Sequence, residues 1–232
     1  METKYTWKIV DRVRETPMVH TLCLEAVSER PSFIAGQYVT VLLEGYQPVE
    51  GKAYSISSAP HEPYVTITIK EMGTFSKALL NVAVGDTITT SAPYGFFYPE
   101  SDDQCELVFI AGGIGVTPCI SIIKDLAHTH DQRPCVLHYS NQTKAESTFD
   151  AALQTLAATH ESFSLYQYIT REHAMAPYIQ GRMEASVIMD TVASSQTAMY
   201  FLCGSMYFTR EIYQALIDAG VTPEHIYTEG FF

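Results

Sequence analysis

The segment from Leu107 to Pro118 constrains the fold more than any other part of the chain. Its apolar half, Leu107–Ala111, is typical of a parallel strand that is covered on both faces. The glycines of the segment are Gly112, Gly113 and Gly115. Glycine allows a sharp turn and a close approach of the backbone to a ligand. Thr117 suits a helix N-cap and Pro118 the first helical position. The segment therefore predicts a strand, a turn and a helix N-terminus that binds a phosphate or pyrophosphate.

The first hundred residues have the pattern of a β domain. Short runs rich in β-branched and aromatic residues alternate with Gly, Pro or Asn turn signals. They predict strands at Trp7–Arg12, Val19–Ala26, Tyr38–Leu43, Ala53–Ser58, Val65–Lys70 and Thr87–Ser91, with one short helix at Phe75–Val82. Six such strands predict a closed antiparallel barrel. We assign residues 1–101 to this domain.

The pattern changes to alternating strands and helices near residue 104. The predicted strands are Leu107–Ala111, Cys135–Tyr139, Leu165–Ile169 and Met199–Cys203. The predicted helices are Pro118–His128, Ala145–Thr159 and Phe208–Ala219. This order predicts an α/β domain with a mostly parallel, nucleotide-binding sheet. We assign residues 102–232 to it, with the acidic turn at 99–103 as the linker.

Composition narrows the class of protein. The net charge of −12 argues against general nucleic-acid binding. No apolar stretch approaches the roughly 18 residues of a membrane span, and the N-terminus has no secretion-signal pattern, so we expect a soluble cytoplasmic protein. The cysteines lack metal-ligand spacing, which predicts reduced thiols and no metal site. They are Cys23, Cys105, Cys119, Cys135 and Cys203.

Six motifs in chain order resemble those of the ferredoxin–NADP reductase family. Lys52-Ala53-Tyr54-Ser55 is similar to the flavin signature Arg-x-Tyr-Ser, and Gly73-Thr74-Phe75-Ser76 matches the Gly-x-x-Ser phosphate loop. Ala92-Pro93-Tyr94-Gly95-Phe96-Phe97 resembles Gly-Pro-x-Gly-x-Phe. Gly112–Pro118 resembles the nicotinamide-dinucleotide signature, and Cys203-Gly204 and Glu229-Gly230-Phe231-Phe232 match the late motifs. Together the motifs span nearly the whole chain.

The resemblance implies a barrel that holds FAD. Tyr54 is then expected to pack against the flavin ring, Ser55 to offer a hydroxyl to its reactive nitrogen edge, and Lys52 to neutralise the pyrophosphate. Lys52 replaces the family's arginine and lacks the bidentate fork, which leaves weaker FAD retention or FMN use open. The flavin site is completed by the phosphate loop and by Ile69 and Lys70, at the end of the strand that precedes it. For Lys70, a solvated strand residue is the alternative.

The α/β domain is expected to bind NADH or NADPH. The residues after its second strand are Ser140, Asn141 and Gln142, and Asn-Gln-Thr resembles the NADH-using cytochrome b5 reductase branch. Arg171 and Arg182 resemble arginines of NADPH-using bacterial reductases, and Lys144 is a further cation for a 2′-phosphate. The sequence favours NADH.

The end of the chain completes the expected active site. By resemblance, Cys203 lies beside the nicotinamide ring, with a small buried core cysteine as the alternative. The family's terminal aromatic residue stacks on the flavin, and here Phe231 and Phe232 replace a single ring. Phe231 lies two residues after Glu229, as the family's ring does, and is the predicted stacking residue. An apolar tail is the alternative.

The predicted function is that of an FAD-dependent NAD(P)H oxidoreductase. Ser55, Cys203 and Glu229 are its predicted catalytic residues. The expected electron acceptor is a separate ferredoxin, flavodoxin or oxygenase component. Two alternatives remain: a reductase that uses free flavin as substrate, and an electron-relay subunit of a larger complex.

Overall fold

Two six-stranded sheets organise the computed structural model, which describes residues 3–100 and 105–231, the last of these by its backbone alone. The strands are β1 (Lys4–Thr16), β2 (Val19–Ala26), β3 (Tyr38–Leu42), β4 (Lys52–Ser55), β5 (Val65–Lys70), β6 (Thr87–Ser91), β7 (Leu107–Gly112), β8 (Cys135–Asn141), β9 (Phe163–Ile169), β10 (Ile179–Gln180), β11 (Met199–Ser205) and β12 (Ile226–Phe231). The helices are α1 (Thr74–Asn81), α2 (Val116–His128), α3 (Asp150–Thr159), α4 (Ala185–Asp190) and α5 (Met206–Asp218).

The first sheet is the predicted antiparallel barrel. Its strand order is β4-β3-β6-β1-β2-β5, and a bridge between Ile56 and Ile67 joins the two edges. Alternate residues such as Ile9, Leu22 and Val41 are fully buried inside it. Alternation of this kind is what a strand with one buried face requires. The barrel prediction is confirmed.

The second sheet is the predicted parallel sheet. Its order is β10-β9-β8-β7-β11-β12, with β7 in the interior. Successive residues of β7 belong to separate clusters on the two faces: Phe109 to one, Val108 and Ile110 to the other. Burial on both faces accounts for the continuous apolar run in the sequence. The α/β prediction is confirmed, whereas β10, β12 and α4 were not predicted.

Helix α5 begins two residues before its predicted start and α1 one residue before, and the starts of α2 and α3 differ for reasons that the packing explains. Helix α2 begins at Val116, directly after a 3₁₀ turn at Gly113–Gly115. Thr117 is therefore not an N-cap and Pro118 is not the first helical residue, and the Thr117 hydroxyl donates to the Ile114 carbonyl at 2.9 Å. The predicted helix at 145–159 is divided into a 3₁₀ turn at Lys144–Glu146 and α3, because Phe149 has a left-handed backbone with φ of 62°.

The end of the predicted strand at 53–58 also differs. Strand β4 ends at Ser55, and the chain continues toward the α/β domain, where the Ser121 hydroxyl of α2 donates to the Ser58 carbonyl at 2.6 Å. Lys124 of α2 pairs with Glu62 at 3.2 Å. These contacts hold the end of β4 beside α2. The predicted domain boundary and most of the predicted linker lie at residues 101–104, outside the described residues.

His138 in β8 makes the stability of the α/β domain dependent on pH. Its ring is fully buried, with Nδ1 3.0 Å from the Tyr168 hydroxyl and Nε2 3.0 Å from the Thr191 hydroxyl. Burial lowers the pKa of His138 from 6.5 to about 4. The unfolded chain therefore takes up a proton, as pH falls from about 6.5 to 4, that the folded chain does not.

We expect the free energy of unfolding to fall by about 2.5 kcal/mol between pH 7 and pH 4.5 through this histidine. His138→Gln should remove that part of the pH dependence. Urea unfolding of both proteins at the two pH values measures the difference. An equal loss in the wild type and in His138→Gln would contradict the assignment.

Candidate active site

A cavity of about 410 Å³ lies where the barrel meets the α/β domain; we call it the barrel cavity. It brings together residues of β4, β5 and α1 with the loop before α2 and with Gly230 of β12. The predicted flavin residues in its wall are Lys52, Ala53, Tyr54, Ser55, Lys70 and Ser76, and Thr117 joins them from the nucleotide signature. Residues of two motifs far apart in sequence thus line one cavity.

Ser55 gives the clearest sign that the barrel cavity fits a ligand. Its side chain is 3% exposed, and its Oγ has no hydrogen-bond partner among the described residues. A buried hydroxyl without a partner is destabilising, so its polar atom is expected to meet a ligand group. Beside it, burial raises the pKa of Tyr54 to about 12, so that the ring stays neutral at physiological pH.

The phosphate loop is held by its own serine. Ser76 Oγ accepts from the amides of Met72 at 2.9 Å and Gly73 at 3.1 Å. The Phe75 side chain belongs to the barrel core, and the Lys52 ammonium lies 6.0 Å from the centre of its ring. Lys52 therefore sits near the first turn of α1. The Phe75 ring is packed in the barrel core and is therefore not available to a phosphate there.

Ile69 is a predicted flavin residue whose side chain does not line the barrel cavity. Its side chain is fully buried and packs in the barrel core. Any contact it makes with a cofactor is through its backbone, because strand neighbours point to opposite faces. Lys70, the next residue, is exposed and lines the barrel cavity.

A second cavity of about 510 Å³, here called the interdomain cavity, lies against the glycine turn. From the predicted nucleotide site it contains Gly112, Gly113, Ser140, Asn141 and Gln142. The opposite wall is the β1–β2 hairpin, including Met18, which sequence reasoning missed because no local pattern marks a hairpin tip as a cavity wall. Lys70 and Met72 line both cavities. The two cavities are therefore neighbours at the end of β5.

Two glycines of the nucleotide motifs serve packing. A Cβ on Gly115 would lie 2.2 Å from the Cys203 carbonyl oxygen, and one on Gly204 would lie 2.7 Å from the Phe208 ring. Gly115 thus allows the start of α2 to pack directly on β11. Both glycines allow close packing between a helix and a strand. Contact of either glycine with the cofactor stays a prediction.

Carboxylates surround the end of β8. Asn141 has a buried Nδ2 without a partner in the described part of the chain. Glu146 lines the interdomain cavity and accepts from the Thr143 amide at 3.3 Å, and Glu172 accepts from the Lys144 amide. The Arg171 amide donates to the Gln142 carbonyl at 2.8 Å.

Two of the three cations predicted for a 2′-phosphate, Arg182 and Lys144, contact other side chains. The Arg182 guanidinium lies 3.4 Å from Glu211 of α5. The Lys144 ammonium lies 4.8 Å from the centre of the Tyr178 ring, a cation–π distance. These contacts compete with binding of a phosphate by either cation.

Cys203 and Glu229 are brought together by β11 and β12, where they are direct partners in the parallel register. Burial raises the pKa of Glu229 to about 7. Burial also raises the pKa of Cys203, so the sulfur stays a thiol at neutral pH. A Cβ added to Gly95 would lie 3.8 Å from Glu229 Oε1. The Ala92–Phe97 motif therefore lies beside this pair. The predicted catalytic residues Cys203 and Glu229 are thus neighbours.

The chain end forms a strand. Phe231 pairs with Ser205 through its backbone, so a free apolar tail is excluded for residues 226–231. The Phe231 side chain and Phe232 lie outside the described residues, and stacking of either ring on a flavin stays a prediction. Within residues 3–100 and 105–231 there is no cluster of three or more metal-ligating side chains. No helix of that part is long and apolar enough to cross a membrane.

Comparison with known proteins agrees with this geometry. Residues 109–213 match the model of the oxidoreductase NAD-binding domain. A flavohemoprotein of Bacillus cereus is 30% identical over 96% of this chain and 60% of its own length. The similarity therefore includes the barrel as well as the nucleotide half. The chain has the fold of the ferredoxin–NADP reductase family, and residues 109–213 match its oxidoreductase NAD-binding domain. The matched oxidoreductase NAD-binding domain, and a neighbour solved with bound FAD and NADP, agree with the predicted cofactor pair, FAD and a nicotinamide dinucleotide.

Solved structures share the whole fold of this chain. The flavohem-like FAD/NAD-binding domain of nitric oxide dioxygenase from Vibrio cholerae has a TM-score of 0.87 and 24% identity, covering 100% of this chain and 99% of its own. A ferredoxin–NADP+ reductase from Neisseria gonorrhoeae with bound FAD and NADP has a TM-score of 0.82 and 22% identity, covering 99% and 98%. The chain spans about 60% of the length of the first flavohemoproteins it matches.

Proposed function

We propose that this chain is an FAD-dependent NAD(P)H oxidoreductase that passes electrons to a separate acceptor protein. The observation that carries the proposal is the barrel cavity. It contains the buried, unpartnered Ser55 hydroxyl and adjoins the interdomain cavity at Lys70 and Met72. A flavin and a nicotinamide dinucleotide bound in neighbouring cavities bring donor and acceptor atoms together. When bound, the flavin accepts a hydride and releases its two electrons one at a time.

Lys52 and the first turn of α1 are suited to the flavin phosphates. The Lys52 ammonium lies beside that turn, and helix N-termini favour negative charge. The neutral Tyr54 ring offers an apolar surface to a flavin ring, and Ser55 offers a hydroxyl. A single ammonium binds phosphate as a point charge and without the geometric specificity of arginine.

Glu229 and Cys203 are suited to different tasks on the nicotinamide side. A carboxyl with a pKa of about 7 holds or releases a proton at neutral pH. The Cys203 thiol is uncharged and buried, so it orients a ring by contact and leaves the charge of the site unchanged. We infer that Glu229 accepts or donates a proton and that Cys203 positions the nicotinamide.

A third cavity supports a protein acceptor. It has a volume of about 810 Å³ on the outer face of the barrel and shares Gly51 and Ala53 with the barrel cavity. The two cavities are therefore neighbours at the start of β4. Val49 in its wall is 72% exposed and Phe96 of the neighbouring loop is 83% exposed, and exposed apolar groups favour protein contacts. The relatives named flavohemoproteins add a haem protein to the acceptor classes ferredoxin, flavodoxin and oxygenase component.

The purified protein is expected to be yellow and to release FAD on heating. Gel filtration followed by absorption spectroscopy measures flavin per chain. Retention of one flavin per chain favours a bound cofactor, whereas loss of flavin on the column favours the free-flavin reductase. Rapid reduction of ferricyanide by NADH in the isolated chain would argue against an electron-relay subunit. A colourless protein that takes up neither FAD nor FMN would contradict the proposal.

We expect about a tenfold preference for NADH over NADPH in kcat/KM. The carboxylates of Glu146 and Glu172 lie at the end of β8, where they repel a 2′-phosphate. Glu146→Gln and Glu172→Gln should each raise kcat/KM for NADPH and leave that for NADH nearly unchanged, and Glu161→Gln serves as the exposed control. A preference for NADPH in the wild type would instead implicate Arg171, Arg182 or Lys144.

A further inference from the structure

Four hydroxyls form a continuous hydrogen-bonded chain across the outer face of the barrel. Thr66 Oγ1 lies 2.8 Å from Ser57 Oγ, which lies 2.8 Å from Thr68 Oγ1. Thr68 Oγ1 lies 2.8 Å from Thr21 Oγ1, and Thr21 donates to the Glu15 carboxylate at 2.7 Å. We call these four residues the hydroxyl chain. It joins β5 and β2 and ends on a carboxylate of β1.

The carboxylate fixes the direction of every hydrogen bond in the chain. An ionised carboxylate only accepts, and a hydroxyl has one proton to donate. Thr21 gives its proton to Glu15, so Thr21 must accept from Thr68. Thr68 has then used its only proton and must accept from Ser57. The proton of Thr68 is therefore not available to any ligand.

Thr68 is the member of the chain that lines the barrel cavity. Its side chain is 3% exposed. One lone pair of Thr68 Oγ1 accepts from Ser57, and a hydroxyl oxygen has a second. No other donor among the described residues reaches this oxygen. The Thr68 hydroxyl therefore has an acceptor, and no proton, to offer to a ligand in the cavity that the residue lines.

We propose that Thr68 accepts a hydrogen bond from the pyrimidine N–H of the bound flavin. The oxidised flavin ring carries one N–H, at N3, so it has a single donor that this acceptor matches. Glu15 is a positioning residue, because it keeps Thr68 in its accepting state through Thr21. The inference rests on the proposed function, since it requires a flavin in the barrel cavity.

If the hydroxyl chain only stabilised the fold, its loss would lower stability and leave flavin recognition unchanged. Thr90, another buried barrel threonine, accepts from the Trp7 indole at 2.8 Å and is not part of the chain. Loss of its hydroxyl should lower stability without changing how the protein distinguishes one flavin from another. Thr68 should instead affect the recognition of the flavin N–H. Thr90→Val is therefore the matched control for Thr68→Val.

The test is titration of the apoprotein with FAD and with FAD methylated at N3. Thr68→Val is expected to weaken binding of FAD about fivefold, the scale of one neutral hydrogen bond, and to leave binding of the methylated flavin unchanged. Thr21→Val and Glu15→Leu should reduce FAD affinity in the same direction. Thr68→Ser and Glu15→Gln keep the required hydroxyl and acceptor and should bind as the wild type does. Melting temperatures of the apoproteins identify variants that fail to fold.

Three outcomes would overturn the inference while leaving the proposed function intact. In the first, Thr68→Val binds FAD as tightly as the wild type. In the second, Thr90→Val weakens FAD binding by the same factor. In the third, the wild type and Thr68→Val discriminate equally against the methylated flavin. A wild-type apoprotein that binds neither flavin would instead contradict the proposed function itself.

Discussion

Gly115→Ala is expected to lower the melting temperature by about 10 °C and to slow reduction of the flavin by NADH at least about 100-fold. The added Cβ would lie 2.2 Å from the Cys203 carbonyl oxygen and 2.4 Å from its carbon, which forces α2 away from β11. Overpacking of this kind costs about 3 kcal/mol. A displacement of about 1 Å at an active site slows chemistry by about 100-fold.

Gly113→Ala is the matched control for stability. Gly113 belongs to the same turn, has a φ of 55°, and a Cβ there would have no neighbour within 4 Å. Its substitution carries only the backbone cost of a left-handed residue, about 1 to 2 kcal/mol. Thermal melts and stopped-flow reduction compare the two variants. If Gly115→Ala melts no lower than Gly113→Ala, the packing role of Gly115 is wrong.

Ser55→Ala is expected to slow reduction of the flavin by NADH about 100-fold while FAD remains bound. The Ser55 hydroxyl is the buried, unpartnered polar group of the barrel cavity, and loss of one such preorganised donor has an effect of this size. The apoprotein should become more stable by about 1 kcal/mol, because an unsatisfied buried hydroxyl is removed. The stability of the apoprotein should therefore rise while the rate of flavin reduction falls.

Ser147→Ala separates these two effects. Ser147 is also buried and without a partner for its Oγ among the described residues, but it lies in the α/β domain, away from the barrel cavity. It should show the gain in stability and, at saturating NADH, an unchanged reduction rate. Stopped-flow absorption of the flavin and thermal melts of both apoproteins measure the outcome. Equal reduction rates in the wild type and Ser55→Ala would remove Ser55 from the catalytic residues.

Local patterns in the sequence were sufficient for most of the fold. The predicted strands at 19–26, 65–70 and 87–91 have the observed bounds, because alternation of buried and exposed residues is a local property of a barrel strand. The apolar run before Gly112 indicated a strand covered on both faces, and β7 is such a strand. Motif order also indicated that one site draws on both domains, as the barrel cavity does.

Local signals were insufficient where a distant partner decides the structure. Strand β12 has a half-polar sequence and becomes a strand by pairing with β11. Thr117 has the composition of an N-cap, but the close contact between Gly115 and Cys203 sets where α2 begins. Capping preferences describe one helix end in isolation, and packing against β11 overrides them.

The sequence by itself determined the two-domain architecture, since strand and helix patterns depend on residue types at short spacings. The motif resemblance supplied the cofactor pair and the predicted residues around it. Only the tertiary structure decided the state of those residues. The unpartnered hydroxyl of Ser55, the raised pKa of Glu229 and the direction of the hydroxyl chain arise from groups that are distant in sequence. Burial and hydrogen-bond geometry are properties of the packed chain, and no local pattern encodes them.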